Sequence, residues 1–398
     1  MDEATLERFA ELLVGFGANV QPGQIVAVSS EIGKEPLTRA IAASAYRHGA
    51  TYVDVAYADP WVRRARIEHG SDAALETVPS WIGERLLALG DQRCARVALT
   101  GPTAPTLLED LDPARVGADR AQTLREAGKV LNDRTTNWTI GPCPTPGWAA
   151  LVHPGLSPDA ALQRLWEQIV HVCRLDEEDP VAAWRERMAT LVSVTERLTA
   201  ARFDALHFEG PGTDLTVGLL PSSQWLSASF ATAAGIAHVP NLPSEEVFTS
   251  PDPTRVDGVV RATKPLQLAG ATIEGLTVAF EGGRAVRIDA DKGADVLRSM
   301  TAHDDGAARL GEVALVDGSG RIGPLDTVFY DTLLDENAAS HVALGQAFAF
   351  AVGDEDAERI NTSMVHIDFM IGGADVDVTG VTADGARVPV LRGGAWQI

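Results

Sequence analysis

The sequence predicts a two-domain α/β protein: an N-terminal three-layer α/β domain built on a mostly parallel sheet, followed by a β-rich α+β domain. Three observations carry this expectation. A chain of 398 residues exceeds the usual reach of one hydrophobic core. In the first half, short apolar runs alternate with helical segments of crossover length, the pattern of parallel strands joined by helices. After about residue 200 the texture changes to short strands punctuated by glycine. The expected domains therefore span 1–200 and 201–398.

The first domain follows from its segments in order. MDEATLERFAELLVGFGANV starts acidic and places Leu6, Phe9, Leu13 and Phe16 at helical spacing. It lacks the basic start and unbroken apolar core of a signal peptide. QPGQIVAVSS reads as a turn followed by a short buried strand from Ile25 to Val28. PLTRAIAASAYRHG is a helix with Pro36 near its start and Gly49 as its stop. ATYVDVAYAD alternates Thr51, Val53 and Val55 against Tyr52, Asp54 and Ala56, which suits a strand. A helix-like charged stretch runs to about Gly90, and RVALTGP is a strand entering a loop. No GxGxxG or Walker motif follows any of these strands, so a nucleotide site has no support. NWTIGPCPTPGWAA, residues 137–150, is dense in Pro, Gly and Trp and reads as an ordered loop. Helical segments ending in SVTERLTAARF close the domain.

The second domain opens with LTVGLL and GVVRATKPL, then ATIEGLTVAFEGGRAVRIDA, in which Gly282-Gly283 marks a hairpin turn. VALVDGSG adds a further strand.

Composition narrows the function. A hydrophobic content of 45% indicates a well-packed globular chain. A formal net charge of −22 argues against nucleic acid and against anionic membrane surfaces. Cys94, Cys143 and Cys173 form no CxxC or pairing pattern and read as buried apolar residues in a reducing compartment. No apolar stretch approaches the roughly 20 residues of a membrane span, and a cytoplasmic location is expected.

The polar residues that carry chemistry fall in four segments of the second domain. In VHIDFMIGG, His366 and Asp368 are two apart on a strand and share a face. They are either a hydrogen-bonded pair or ligands. In RLGEVALVD, Glu312 lies beside apolar strand residues, at an exposed strand mouth or in a site that compensates its burial. In NLPSEEVFTSPD, Glu245 and Glu246 face opposite ways, so at most one enters a site. In DENAASHVALGQAF, Asp335 or Asn337 caps a helix that runs from about Ala338 and carries His341. Glu336 lies in the turn before it, from which it can approach the same point as His341. Together these segments supply carboxylates and imidazoles without thiolates, the donor inventory of zinc, cobalt or manganese and of an ion pair bridged by carboxylates. Such a pair suits hydrolysis of an amide at neutral pH.

Over nearly the whole chain the sequence resembles the M29 metallo-aminopeptidases, the thermophilic aminopeptidase or aminopeptidase S/T family. The resemblance rests on consecutive segments in order: NVQPGQIVAV, PLTRAIAASAYRHGA, NWTIGPCPTPGWA, GPGTDLTVGL, PNLPSEEVFTSPDPTRVDGVV, ARLGEVALV, TLLDENAASHVALGQAF and SMVHIDFMIGG. It implies a homodimeric, two-domain exopeptidase whose C-terminal domain binds two divalent ions and whose substrate is a peptide or aminoacyl compound with a free N-terminus. Carried over by motif, the implied ligands are Glu246, Glu312, Glu336, His341, His366 and Asp368. Glu246 and Glu336 are the candidates for general base.

Three departures stand out. The family's tyrosine seven residues after the DENAxxH histidine is replaced by Phe348. If that hydroxyl serves as an oxyanion donor, its absence costs about 3 kcal/mol of transition-state stabilisation. DGSGRIGPLD differs from the usual serine-proline-rich run, and GDEDAERINTSM is a shortened link. These departures leave open a different reaction on the same scaffold, either hydrolysis of a specialised amide or ring cleavage at one iron held by His341, His366 and Asp368.

Overall fold

The computed structural model describes residues 1–119, 125–227, 229–268 and 271–398. The chain divides into two units, residues 1–186 with 228–243, and residues 187–227 with 244–398. Among the described residues no helix is long and apolar enough to cross a membrane.

The first unit is the expected parallel α/β layer. Its four strands are β1 (Ile25–Glu31), β2 (Tyr52–Ala58), β3 (Ala95–Thr100) and β4 (Asn137–Pro142), in the order β2-β1-β3-β4. All three pairings are parallel. Helix α1 (Glu3–Glu11) starts where the Asp2 side chain accepts the Thr5 amide proton at 2.8 Å, which satisfies one of the open N–H groups of the first turn. Helix α2 (Glu35–Arg47) has Pro36 in its first turn, where the missing N–H costs nothing.

NWTIGPCPTPGWAA is not a loop. Its first six residues are β4, and Pro146–Val152 form a helix capped by Thr145. The strand is hidden in the sequence because its inward positions are polar. Asn137 and Thr139 are buried, and the Asn137 amide donates to the Ala18 carbonyl at 2.6 Å, which compensates the burial. All three cysteines are buried and unpaired, and burial pushes the Cys143 thiol up to about 12.

The second unit contains two large antiparallel sheets. One has eight strands in the order 284–289, 277–281, 251–261, 213–219, 205–210, 377–381, 387–392 and 395–396. Its 277–281 and 284–289 strands meet at Gly282-Gly283, whose φ angles of 53° and 83° are those of a two-residue hairpin turn closed to most other residues. The other sheet has five strands: β5 (Leu226–Ser227), β6 (Glu246–Thr249), β7 (Leu310–Val316), β8 (His341–Gly345) and β9 (His366–Met370), in the order β9-β8-β7-β6-β5.

The five-stranded sheet is two-faced. Val313 and Leu315 of β7, Val342 and Leu344 of β8, and Ile367 and Phe369 of β9 join one apolar core with residues of the eight-stranded sheet. Residues one position away carry the titratable groups. The ladder between β7 and β8 slips between Leu310 and Glu312. The slip lets Leu310 and Val313 both enter the core although their spacing is odd, and it leaves Glu312 on the opposite face. Gly311 permits it, since a Cβ there would lie 2.3 Å from the Gly345 carbonyl oxygen.

The segment after DENAAS is a strand, not a helix. Only Thr332–Asp335, helix α3, and a 3-10 turn at Glu336–Ala338 are helical, and His341 opens β8. β8 lies between β7 and β9 and every one of its residues is buried. A strand covered on both faces reads as a continuous apolar run, which periodicity cannot separate from a buried helix.

Candidate metal centre

Four separate stretches deliver the side chains. The register sets Glu312 opposite Ala343, and Ala343 opposite Asp368. His341 pairs with Ala314 on one side and Met370 on the other, and His366 with Gly345. Glu246 begins β6 opposite Val316. Adjacent strands lie about 4.8 Å apart, so this face gathers groups remote in sequence within the span of an ion.

Two sets of three residues each bring one ligand atom within 4.8 Å of the others: Glu246, Glu312 and His341, and Glu312, His366 and Asp368. Glu312 belongs to both. Glu336 stands outside them, on the 3-10 turn that packs against β9. Glu245 turns away, as adjacent residues on an extended segment must, and pairs with Arg187 instead.

The histidine ring nitrogens are aimed in a way that bears on ligation. His341 Nδ1 lies 3.3 Å from the Ala339 carbonyl, and His366 Nδ1 lies 2.8 Å from the Gln346 carbonyl. A carbonyl oxygen only accepts, so each Nδ1 carries a proton, and in a neutral ring each Nε2 presents a lone pair. These lone pairs face carboxylates. His341 Nε2 is 3.2 Å from Glu246 Oε2, and His366 Nε2 is 3.1 Å from Glu312 Oε2 and 3.2 Å from Asp368 Oδ1. Yet Glu246 Oε2 is buried without a hydrogen-bond partner. A buried oxygen facing a nitrogen lone pair is repulsive unless a proton or a cation lies between them. The residues fit a divalent ion: the backbone-anchored Nδ1–H is the arrangement that orients a ligating imidazole.

The electrostatics say the same. Burial opposes charge on His341, but the carboxylates of Glu246, Glu312 and Asp368 outweigh it and push its pKa up to about 10. His366 is raised as well, against its burial, by Asp368 and Glu312. Burial, then Glu246 and Asp368, raise Glu336 well above the usual carboxylate range. Glu312 is raised mainly by burial, whereas His366 holds Asp368 down against burial. The cluster of acids thus demands positive charge. At pH 7 the His341 ring supplies it as imidazolium, and its proton must leave before Nε2 can ligate. Titration of Zn²⁺ into metal-free protein at pH 7 is therefore expected to release protons, seen as a heat that varies with the ionisation enthalpy of the buffer. A heat independent of buffer would contradict this reading.

Phe348 packs its ring 5.3 Å from that of His366 and lies against Phe248 and Phe350, forming an apolar flank beside the most exposed member of the site. An open cavity of about 1010 Å³ in the same unit is lined by Lys264, Asp317, Ser340 and Gly372, not by the six candidates. Sequence reasoning missed the supporting residues. Arg187 holds Glu245 and is itself held by Asp317, and Asn337 holds the Glu245 backbone. Only the EE doublet hinted at a partner for Glu245; nothing local pointed to Arg187.

Comparison with known proteins bears on the whole chain. Residues 2–396 match the family model described as thermophilic metalloprotease (M29). Aminopeptidase T of Thermus aquaticus is 45% identical over 99% of this chain and 98% of its own length. Aminopeptidase 2 of Geobacillus stearothermophilus is 37% identical over the same shares of the two chains. The solved structure of wild-type AmpT from Thermus thermophilus superposes with a TM-score of 0.91 at 42% identity, covering 99% of both chains.

Proposed function

The chain belongs to the thermophilic metalloprotease family M29 and is a metal-dependent aminopeptidase, and we propose that it would use two divalent ions, one held by Glu246, Glu312 and His341 and one by Glu312, His366 and Asp368. One observation carries the proposal: Glu312 is the member common to both three-residue groups. Charge supports it. Glu246, Glu312, Glu336 and Asp368 are four carboxylates facing two imidazoles; two divalent ions balance them, whereas one leaves a buried surplus of negative charge. A donor set of oxygen and imidazole nitrogen without thiolate suits zinc, cobalt or manganese.

Ions held there would polarise the scissile carbonyl and lower the pKa of the attacking water. The side chains do the rest. Glu246 and His341 form one end of the site, and His366 and Asp368 the other, with Glu312 between them. Glu336 is the proposed general base. It lies outside both ligand groups, and burial together with Glu246 and Asp368 raises its pKa, the direction that makes a carboxylate a stronger proton acceptor. The substrate is a peptide or aminoacyl compound, its free amine held by the carboxylates at the site's edge. The same reading includes a homodimer in the cytoplasm, the latter supported by three buried, unpaired cysteines.

The test joins metal analysis to turnover. Two ions per chain and metal-dependent release of N-terminal amino acids are expected. A single ion per fully active chain would overturn the bridged pair, and a fully metallated protein inert across a broad peptide panel would overturn the activity.

A further inference from the structure

We propose that Asn337 is a positioning residue that fixes Glu246 and Glu336 relative to each other and so sets the site's affinity for divalent ions. The inference rests on the metal-site reading above. Asn337 is buried in the 3-10 turn and is the residue next to Glu336. Its Oδ1 accepts the backbone N–H of Glu245 at 2.6 Å, and Glu245 is the residue next to Glu246. Its Nδ2 donates to the Leu333 carbonyl at 2.9 Å, closing the end of α3, and lies 3.4 Å from Glu336 Oε1. One amide thus bridges two candidate groups that are 90 residues apart in the chain.

The Glu245 side chain is fixed too. The Glu245 carboxylate accepts from Arg187 Nε, and Arg187 Nη2 donates to Asp317 just beyond β7 at 2.8 Å. Glu245 is thus held through its side chain by Arg187 and through its backbone N–H by Asn337, next to the point where Glu246 enters β6 opposite Val316. Replacing Asn337 releases the Glu336 turn from β6 and lets the two carboxylates separate, which their mutual repulsion favours. Groups that orient ligands in this way typically change metal affinity about 10- to 100-fold when removed.

The test uses Co²⁺ and the full-length protein stripped of metal. Asn337→Ala is expected to weaken Co²⁺ binding about 10- to 100-fold and to alter the visible absorption of bound Co²⁺, a signature of ligand geometry. Asn137→Ala, an equally buried asparagine of the first unit, serves as the control. It is expected to lower the melting temperature while leaving Co²⁺ affinity and spectrum as in the wild type. In a Glu336→Gln background the effect of Asn337→Ala should shrink, because the two act through the same turn. Independent effects, or wild-type affinity and spectrum in folded Asn337→Ala, would overturn the inference. Asn337→Ser, too short to span both partners, is the alternative if the alanine variant does not fold. Failure of both to fold would place Asn337 in folding and also overturn it. Absence of Co²⁺ binding by the wild type would instead overturn the metal-site reading.

Discussion

Glu312→Gln abolishes activity without unfolding the protein. The substitution keeps the shape of the side chain and removes the one carboxylate shared by both ligand groups. On the proposed two-ion site each ion would lose a charged donor, so affinity should fall by more than about 100-fold, the upper end of what even an outer supporting group costs. Loss of the polarised carbonyl and activated water removes several kcal/mol of transition-state stabilisation, and kcat/KM should fall at least about 10³-fold. The stability of the metal-free protein should move the other way. Burial raises the Glu312 pKa, so its stabilising contribution is complete only below the unfolded-state value and is lost as pH rises through the folded one. At neutral pH an amide in its place removes that cost. Metal-free Glu312→Gln should therefore melt no lower than metal-free wild type. A variant that keeps two ions and normal turnover would remove Glu312 from the site.

Arg187→Met produces the largest loss of stability. Arg187 is buried, Glu245 is fully buried and Asp317 nearly so, and the guanidinium binds both carboxylates and the Ser319 hydroxyl. Removing the cation leaves two buried carboxylates uncompensated, a change that typically costs about 3–5 kcal/mol. For a unit of this size, 1 kcal/mol corresponds to about 2–4 °C, so the melting temperature should drop by roughly 6–20 °C. Arg187→Met combined with Glu245→Gln and Asp317→Asn should recover most of the loss. Calorimetry decides: a single variant that melts with the wild type would show that the carboxylates find other compensation.

Much of this was legible in the sequence. The alternation of Val26–Val28 with helical segments forecast the parallel layer, and its strands pair in parallel throughout. The two-residue spacing of His366 and Asp368 forecast a shared face, and their side chains meet there. The His341 segment misled because β8 is covered on both faces, so its apolar run held no period to read. The β4 segment misled for the opposite reason: its inward positions are polar and are satisfied by contacts far away in sequence. As a cap, Asn337 is expected to start a helix at about Ala338; that segment is a strand, and Asn337 instead closes the C-terminal end of α3. Its second bond, to Glu245, spans 92 residues and leaves no local trace.

The two faces of the five-stranded sheet couple the candidate site to the stability of the fold. Val313 and Leu315 anchor the core while Glu312, between Gly311 and Val313 on the same strand, meets the candidate ion-binding groups. Unfolding this sheet scatters both at once. Any ion held by the folded face but not by the open chain adds its binding free energy to the unfolding equilibrium, by an amount that grows with the logarithm of free ion concentration. On the proposed site, the supply of metal would therefore act as a thermostat setting for the enzyme, and chelation at a warm temperature would silence it by loss of structure as well as by loss of chemistry.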